Sequence, residues 1–370
     1  MSKRIFSGRR VRRGRDVPGS WTRAVAWLAL AALAGCGDAS GPGSFSAARE
    51  FDTFWTNFDR TYSYFAYKQI DWQAARDAYR PRAVQAADAA ALVPILSEMV
   101  EPLRDLHVWF RRPDGNQQAT YQPPHFRNWD RTVWEAWITR NGWRQQVTNW
   151  GYADLGEIGY IAIGAWNTNQ VRITAVDSVL ELLRGRAGLI LDVRMNGGGN
   201  DALALQVAAR FTTAQRVIEY IQFRDGPGHD DFTPLEPRTL APRGPWQYDR
   251  PVIVLSGRGV FSSNETFISA MREIPTVMVM GDTTGGSSGN PQEFTMAGGW
   301  AYTVPRWIAY TADLQVIEWN GIAPDILVSA GPADFAAGRD AVLDSALMHL
   351  RAITGPRLLV ASSSSGSTSR

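Results

Sequence analysis

From residue 152 onward the chain alternates short apolar runs with helical stretches, and this rhythm constrains its fold more than any other feature. Runs that are apolar at successive positions are typical of strands buried on both faces of a sheet. Because helices separate the runs, we expect crossover connections within a layered α/β core. The predicted strands span residues 159–164, 188–193, 251–255 and 276–280, and the predicted helices span residues 171–184, 200–211, 263–273 and 340–352.

The residues that precede this core follow a helical pattern instead. Aromatic residues recur at the i, i+3, i+4 and i+7 spacing of one helix face: Phe51, Phe54, Trp55 and Phe58. We therefore predict a small helical domain at 47–108, a tryptophan-rich connecting segment at 109–150 and the α/β core at 151–355. The tryptophans of the connecting segment either pack beneath a loop or form an apolar binding site.

Residues 1–35 have the pattern of an export signal, in which a basic stretch precedes an apolar run. The run is too short for a transmembrane helix, which needs about 20 residues. It ends in LAGC, which resembles the lipobox of bacterial lipoproteins, where the cysteine is lipidated. The resemblance implies an acylated Cys36 and a location facing the periplasm, at the outer membrane. Glycine, serine, alanine and proline dominate the residues after the cysteine, which predicts a flexible tether at 36–46. The alternative is an ordinary secretory signal followed by a free cysteine.

Charge and residue counts exclude several classes of protein. The formal net charge is +2, but residues 1–35 hold the basic excess, so the folded body is slightly acidic. Nucleic-acid binding, which needs a basic patch on a folded domain, is not expected. Cys36 is the only cysteine, which excludes an internal disulfide framework and a multi-thiolate metal site. No metal or organic cofactor is implied, and residues 356–370 form a serine-rich tail.

Two segments next to predicted helices carry candidate chemistry. DVRMNGGG, at 192–199, is a strand that runs into a glycine turn. Such a turn exposes backbone N–H groups that bind an oxyanion, or it simply needs glycine for positive φ. VFSSNE, at 260–265, places a serine at a helix start, where the next N–H can also serve an oxyanion. Ser262 and Glu265 equally have the spacing of a capping box, which needs no catalysis.

A third segment, LRDLH at residues 103–107, ends the helical region. His107 is there either a base or an ordinary polar residue at a helix end. Together with GDTTGG at 281–286 and GIAPDI at 321–326, the three segments and their order resemble the C-terminal-processing (tail-specific) serine peptidase family. The resemblance is to its branch with the tricorn protease core and the interphotoreceptor retinoid-binding repeats. It implies a layered crotonase/ClpP-like α/β core behind a small helical domain.

The resemblance also implies roles for particular residues. Ser262 would be the nucleophile, His107 the base and Glu318 the acid that orients it, with Asp325 or Glu265 as alternatives for the acid. The oxyanion would bind the Ser263 N–H together with a glycine N–H, and the candidate glycines are Gly197, Gly198 and Gly199.

The family's larger branch uses a lysine base, and this sequence departs from it there. The corresponding position is Ser287, and Lys68 lies in the helical region, so a Ser–Lys dyad is not expected. A PDZ module has no room between Val108 and Tyr152. The implied function is a serine endopeptidase that acts on polypeptides in the cell envelope. The alternatives are a lipid-anchored binding or scaffold protein with an apolar site, and an esterase or amidase.

Overall fold

The computed structural model describes residues 45–124, 127–148 and 150–355, which lie in one compact unit. The predicted signal peptide, Cys36, most of the tether and the serine-rich tail lie outside the described residues. The helices are α1 (Ala47–Thr61), α2 (Phe65–Lys68), α3 (Trp72–Ala83), α4 (Ala89–Val100), α5 (Arg131–Arg140), α6 (Ile173–Leu183), α7 (Asp201–Ala208), α8 (Ser263–Arg272), α9 (Pro332–Ala336) and α10 (Ala341–Thr354). The strands are β1 (Trp109–Arg111), β2 (Gln117–Ala119), β3 (Arg144–Val147), β4 (Trp150–Asp154), β5 (Ile158–Ile163), β6 (Gly188–Asp192), β7 (Arg216–Phe223), β8 (Glu236–Leu240), β9 (Val252–Ser256), β10 (Val277–Gly281), β11 (Gln292–Thr295), β12 (Ala301–Val304), β13 (Trp307–Thr311) and β14 (Ile326–Leu327).

The central sheet has the order β14-β10-β9-β6-β5-β4-β3 among the described residues. The neighbouring strands from β14 to β5 pair in parallel, whereas β4 pairs antiparallel with β5, and β3 pairs antiparallel with β4. Successive residues of a strand point to opposite faces. On β6, Leu189 and Leu191 accordingly join the core formed with α6, α7 and α8, whereas Ile190 joins the core beneath α10. The predicted layered α/β fold is confirmed, and so is the N-terminal helical region.

The N-terminal helices pack on a second sheet, of order β11-β12-β1-β2. Ser46 caps α1 by accepting a hydrogen bond from the Arg49 N–H, which fixes where the helix begins. The buried face of α1 then stacks its rings against this sheet, and the Phe54 and Tyr302 ring centroids lie 4.6 Å apart. This packing brings the segment after α4, with its histidine, to the edge of the α/β core.

Residues 225–246 are rich in glycine and proline, which predicts a loop, but they contain β8. This strand is at the edge of a small sheet of order β13-β7-β8. An edge strand tolerates Pro237, which has no backbone N–H, because one side of such a strand makes no hydrogen bonds to a neighbouring strand. The tryptophan-rich segment packs: the Trp134 indole N–H donates to the Tyr160 hydroxyl at 2.7 Å, and the Trp137 and Tyr160 centroids lie 4.9 Å apart. None of the helices within the described ranges is both long and apolar enough to cross a membrane.

Candidate active site

Ser262 lies at the junction between the loop after β9 and the first residue of α8. Its backbone has φ 62° and ψ −139°, a conformation that costs a residue with a Cβ about 1–3 kcal/mol. The Ser262 hydroxyl makes no capping hydrogen bond to the helix, so the capping role that the spacing allowed is not the one observed. The backbone N–H instead donates to the Ser287 carbonyl at 2.8 Å, which holds the serine in this strained turn.

His107 connects the N-terminal helices to this serine. Its Nε2 lies 2.9 Å from Ser262 Oγ, and its Nδ1 lies 2.8 Å from Ser287 Oγ. The imidazole is buried, and burial lowers the pKa of His107 below its ordinary value, as does the charge of Lys68, while the charge of Asp105 opposes the shift. The ring is therefore neutral near pH 7, which is the state in which Nε2 can take a proton from a serine.

Glu318 does not contact this imidazole. Its Oε1 accepts a hydrogen bond from Lys68 Nζ at 2.5 Å, and burial raises the pKa of Glu318 well above its ordinary value. The resemblance assigned Glu318 to orient His107, but this carboxylate pairs with the Lys68 ammonium instead. The two ring nitrogens of His107 have Ser287 and Ser262 as their partners. Asp325, one alternative, accepts from the Val279 N–H at 2.7 Å and serves the sheet instead.

Lys68 comes from α2 and reaches a buried polar cluster beside the histidine. Its Nζ donates to the Leu103 carbonyl and the Tyr62 hydroxyl, both at 2.8 Å, and lies 3.3 Å from Asp105 Oδ2. It makes no contact with Ser262 among the contacts of the described residues. The lysine is therefore an internal counter-ion, and the dyad that the sequence argued against is absent from the described site.

The glycine turn after β6 lies directly against Ser262. A Cβ at Gly198 would stand 2.7 Å from Ser262 Cβ and 3.2 Å from its Oγ, at φ +111°, so only glycine fits this approach. The Gly198 N–H donates to Asn196 Oδ1 at 2.8 Å and is engaged within the turn. The backbone N–H groups of Gly197, Gly199 and Ser263 thus remain as candidate oxyanion donors. The Ser263 hydroxyl links the start of α8 to the glycine turn by donating to the Gly199 carbonyl at 2.6 Å.

The turn is held from behind by an ion cluster. Arg194 is buried and bonds Asp192 and, through two hydrogen bonds, Asp340 at the start of α10. Paired guanidinium–carboxylate bonds fix direction as well as distance. The aspartate and arginine of DVRMNGGG therefore have a structural role, which is to anchor the glycine turn to the core.

Glu265 is fully buried and supports the segment that carries Ser287. Its carboxylate accepts from the Thr284 hydroxyl at 2.5 Å, the Gly286 N–H at 2.8 Å and the Ser287 N–H at 3.0 Å. Burial raises the pKa of Glu265 to about 7, although these donors oppose the shift. It makes no contact with His107 among the described contacts, so neither alternative for the orienting acid lies on the imidazole.

We expect Glu265→Gln to destabilise the protein and to lower turnover together. The new amide N–H₂ would face a backbone N–H of Gly286 or Ser287, and a buried donor left unsatisfied costs about 1–3 kcal/mol. Urea unfolding and kcat would be measured side by side, with Glu273→Gln, at the far end of α8, as the control. An unchanged unfolding midpoint with wild-type kcat would contradict this role.

Ser262 and His107 open into one cleft of about 610 Å³. Its lining includes the glycine turn, Trp109 and Gln117 from the second sheet, and the Ser288–Pro291 segment. Asp201 is the one acidic side chain in this lining, and it is paired with Arg238. No group of His, Cys, Asp and Glu side chains in the described part of the chain could hold a metal ion.

Sequence reasoning missed Ser287 and Asp105 as members of the site. Asp105 stands two residues before His107, within the LRDLH segment, and Ser287 directly follows the GDTTGG segment, at the position of the family's lysine. The signal that could have identified Ser287 is that a polar serine stands where the family's larger branch has its catalytic lysine.

A serine hydroxyl at a strained turn, a neutral histidine within hydrogen-bond distance and a glycine turn against the serine, on a layered α/β core, are the arrangement typical of serine-type hydrolases. Comparison with known proteins narrows the class. Residues 157–328 match Peptidase family S41, and residues 47–101 match the Tricorn protease C1 domain. The chain therefore carries an S41 serine-peptidase domain behind a tricorn C1 domain, as the resemblance implied.

Individual relatives agree with these domains. Tricorn protease homolog 1 of Streptomyces coelicolor is 29% identical over 167 residues, which cover 44% of this chain and 14% of that protein. Carboxy-terminal processing protease CtpA of Bacillus subtilis is 27% identical over 175 residues, which cover 47% of this chain and 34% of that protein. The chain thus spans about a third or less of these two relatives.

A solved structure matches over nearly its whole length. It is a candidate peptidase from Parabacteroides merdae, with a TM-score of 0.74 and 29% identity, covering 83% of this chain and 97% of the other. The similarity therefore includes the N-terminal helices as well as the S41 domain.

Proposed function

We propose that this protein is a serine endopeptidase that hydrolyses peptide bonds of proteins or peptides in the cell envelope, with Ser262 as nucleophile and His107 as general base. The hydrogen bond of 2.9 Å between Ser262 Oγ and His107 Nε2 carries this proposal. The S41 domain and its processing-protease relatives support the reaction class. The open cleft beside the pair supports a polypeptide substrate.

The reaction follows from the geometry. His107 Nε2 takes the Ser262 proton as Oγ attacks the peptide carbonyl carbon, and the carbonyl oxygen becomes an oxyanion. The Ser263 N–H and an N–H of Gly197 or Gly199 stabilise that charge. The C–N bond then breaks as the His107 imidazolium gives its proton to the leaving amine. A water molecule, deprotonated by the same imidazole, attacks the acyl carbon, and the imidazolium returns this proton to Ser262 Oγ as the bond from Oγ to the acyl carbon breaks.

Labelling with a fluorophosphonate probe tests this function. The folded protein is expected to be labelled at Ser262, and Ser262→Ala is expected to lose the label while keeping its fold. Ser269→Ala, at a buried serine within α8, is the matched control and should be labelled like wild type. A folded wild-type protein that resists the probe would contradict the proposal.

The substrate class can be decided with the same preparation. Hydrolysis of an unstructured protein such as casein supports a peptidase, whereas turnover of short-chain esters alone would indicate an esterase. The third candidate, an apolar binding protein, depended on free tryptophans at 109–150. The rings of Trp129, Trp134, Trp137 and Trp143 pack against Tyr160 or one another, and Trp109 lines the cleft that holds Ser262 and His107, so these tryptophans do not form a separate apolar site.

We propose further that Cys36 is acylated and attaches the protein to the membrane on the periplasmic side. The proposal rests on the lipobox-like LAGC and on Cys36 being the only cysteine. Cys36→Ala is expected to move from the detergent phase to the aqueous phase in Triton X-114 partitioning, because a lipid chain contributes about 0.8 kcal/mol per buried CH₂. If the variant partitions like wild type, the anchor lies elsewhere.

A further inference from the structure

Two buried polar side chains next to the catalytic pair have no part in the proton transfers described above. Ser287 and Asp105 are each 1% exposed. Ser287 Oγ lies 2.8 Å from His107 Nδ1 and 3.3 Å from Asp105 Oδ1. The same Asp105 oxygen accepts the His107 backbone N–H at 2.9 Å, so the aspartate holds the histidine backbone as well as the serine.

We propose that Ser287 and Asp105 are the positioning residues of this site, and that Asp105 sets the orientation and tautomer of His107 through the Ser287 hydroxyl. The proposal rests on the proposed function, since it assigns the group that orients its base. It replaces the direct acid–histidine contact that was expected of Glu318.

The direction of each hydrogen bond follows from what the groups can donate. An ionised carboxylate can only accept, so the hydroxyl hydrogen of Ser287 points to Asp105. The Ser287 oxygen then accepts, and the partner at 2.8 Å must be a His107 Nδ1 that carries hydrogen. With the proton on Nδ1, Nε2 presents a lone pair to Ser262 Oγ, which is the arrangement a general base needs.

The buried cluster keeps Asp105 ionised. Burial acts to raise the pKa of Asp105, but the charge of Lys68, followed by that of His107 and by hydrogen bonds, outweighs it and lowers the pKa below the ordinary value. The Tyr62 hydroxyl donates to Asp105 Oδ2 at 2.9 Å, and Lys68 Nζ lies 3.3 Å from the same oxygen. Glu318, with its raised pKa, shares Lys68 from the opposite side. Lys68 thus acts on His107 indirectly, as the counter-ion of Asp105.

The test compares Ser287→Ala, Asp105→Asn and the double variant with the matched control Ser269→Ala. Ser269 is a buried serine whose hydroxyl has no hydrogen-bond partner in the described structure, and it lies outside the cleft. Each single variant is expected to lower kcat by about 10²-fold or more with little change in KM, because the wrong tautomer removes the base. The double variant should be no slower than the slower single one, since both changes break one chain of hydrogen bonds.

The pH profile separates positioning from a structural role. The negative charge of Asp105 raises the pKa of His107. Asp105→Asn should therefore move the acid limb of kcat/KM to lower pH, a shift that loss of packing would not produce. A Ser287→Ala enzyme as fast as Ser269→Ala, or a double variant whose loss is the product of the two single losses, would overturn the proposal.

A readout that needs no activity keeps the two proposals apart. Long-range ¹H–¹⁵N correlation spectra of the four histidines, with His107 assigned through His107→Gln, report which ring nitrogen carries hydrogen. We expect the Nδ1–H tautomer in wild type and a mixed population in Ser287→Ala. If the fluorophosphonate probe does not label the wild-type protein but the tautomer still changes in Ser287→Ala, the peptidase proposal alone is wrong. If wild type and Ser287→Ala have the same tautomer populations, the positioning proposal alone is wrong.

Discussion

His107→Ala is expected to lower kcat by roughly 10⁴–10⁶-fold, because a triad that loses its base keeps only the oxyanion site and substrate binding. In the wild-type protein, kcat/KM should fall as the pH drops through the pKa of His107, since the imidazolium cannot accept the Ser262 proton. Burial lowers that pKa, so this acid limb should lie below pH 6.5, the ordinary value for imidazole. Steady-state rates from pH 4 to pH 9 check both statements.

The control for this experiment is His229→Gln. His229 is half-buried and lies 2.9 Å from Asp59, outside the catalytic cleft, so its loss should leave both kcat and the acid limb unchanged. If His107→Ala kept near-normal turnover and the same acid limb, another group would be the base.

Gly198→Ala should also lower kcat strongly, although less than His107→Ala and although it removes no functional group. The added Cβ would stand 2.7 Å from Ser262 Cβ and 3.0 Å from the Phe261 carbonyl, so the turn and the nucleophile must move apart. Displacement of one oxyanion donor costs roughly 10²–10³-fold in kcat. The positive φ of Gly198 adds about 1–3 kcal/mol of strain for any residue with a Cβ.

Gly185→Ala provides the matched comparison, because a Cβ there meets nothing within 4 Å. Fluorophosphonate labelling rates and thermal unfolding would be measured for both variants. We expect slow labelling and a lower Tm for Gly198→Ala, and values at or above wild type for Gly185→Ala. Wild-type labelling by Gly198→Ala would mean that the turn has no part in the site.

Much of the fold follows from local patterns. The helices α6, α8 and α10 and the strands β5, β6, β9 and β10 lie within a few residues of their predicted positions, because apolar periodicity is a property of neighbouring residues. The strands of the two smaller sheets were not predicted. Some of their pairings join segments far apart in the chain, as when Phe110 pairs with Tyr302, and no local pattern carries that information.

The same division holds for the candidate site. The sequence by itself determined its members on the reacting side: His107, Ser262 and the glycine turn lie in short motifs whose chemistry is legible from residue type and order. Only the tertiary structure decided what stands behind the imidazole. The Lys68 ammonium on α2, the Asp105 carboxylate and the Ser287 hydroxyl meet there from three distant segments, and they hold Glu318 away from the histidine. A buried carboxylate takes its partner from whichever charge the packing brings within about 4 Å, and sequence spacing does not encode that distance.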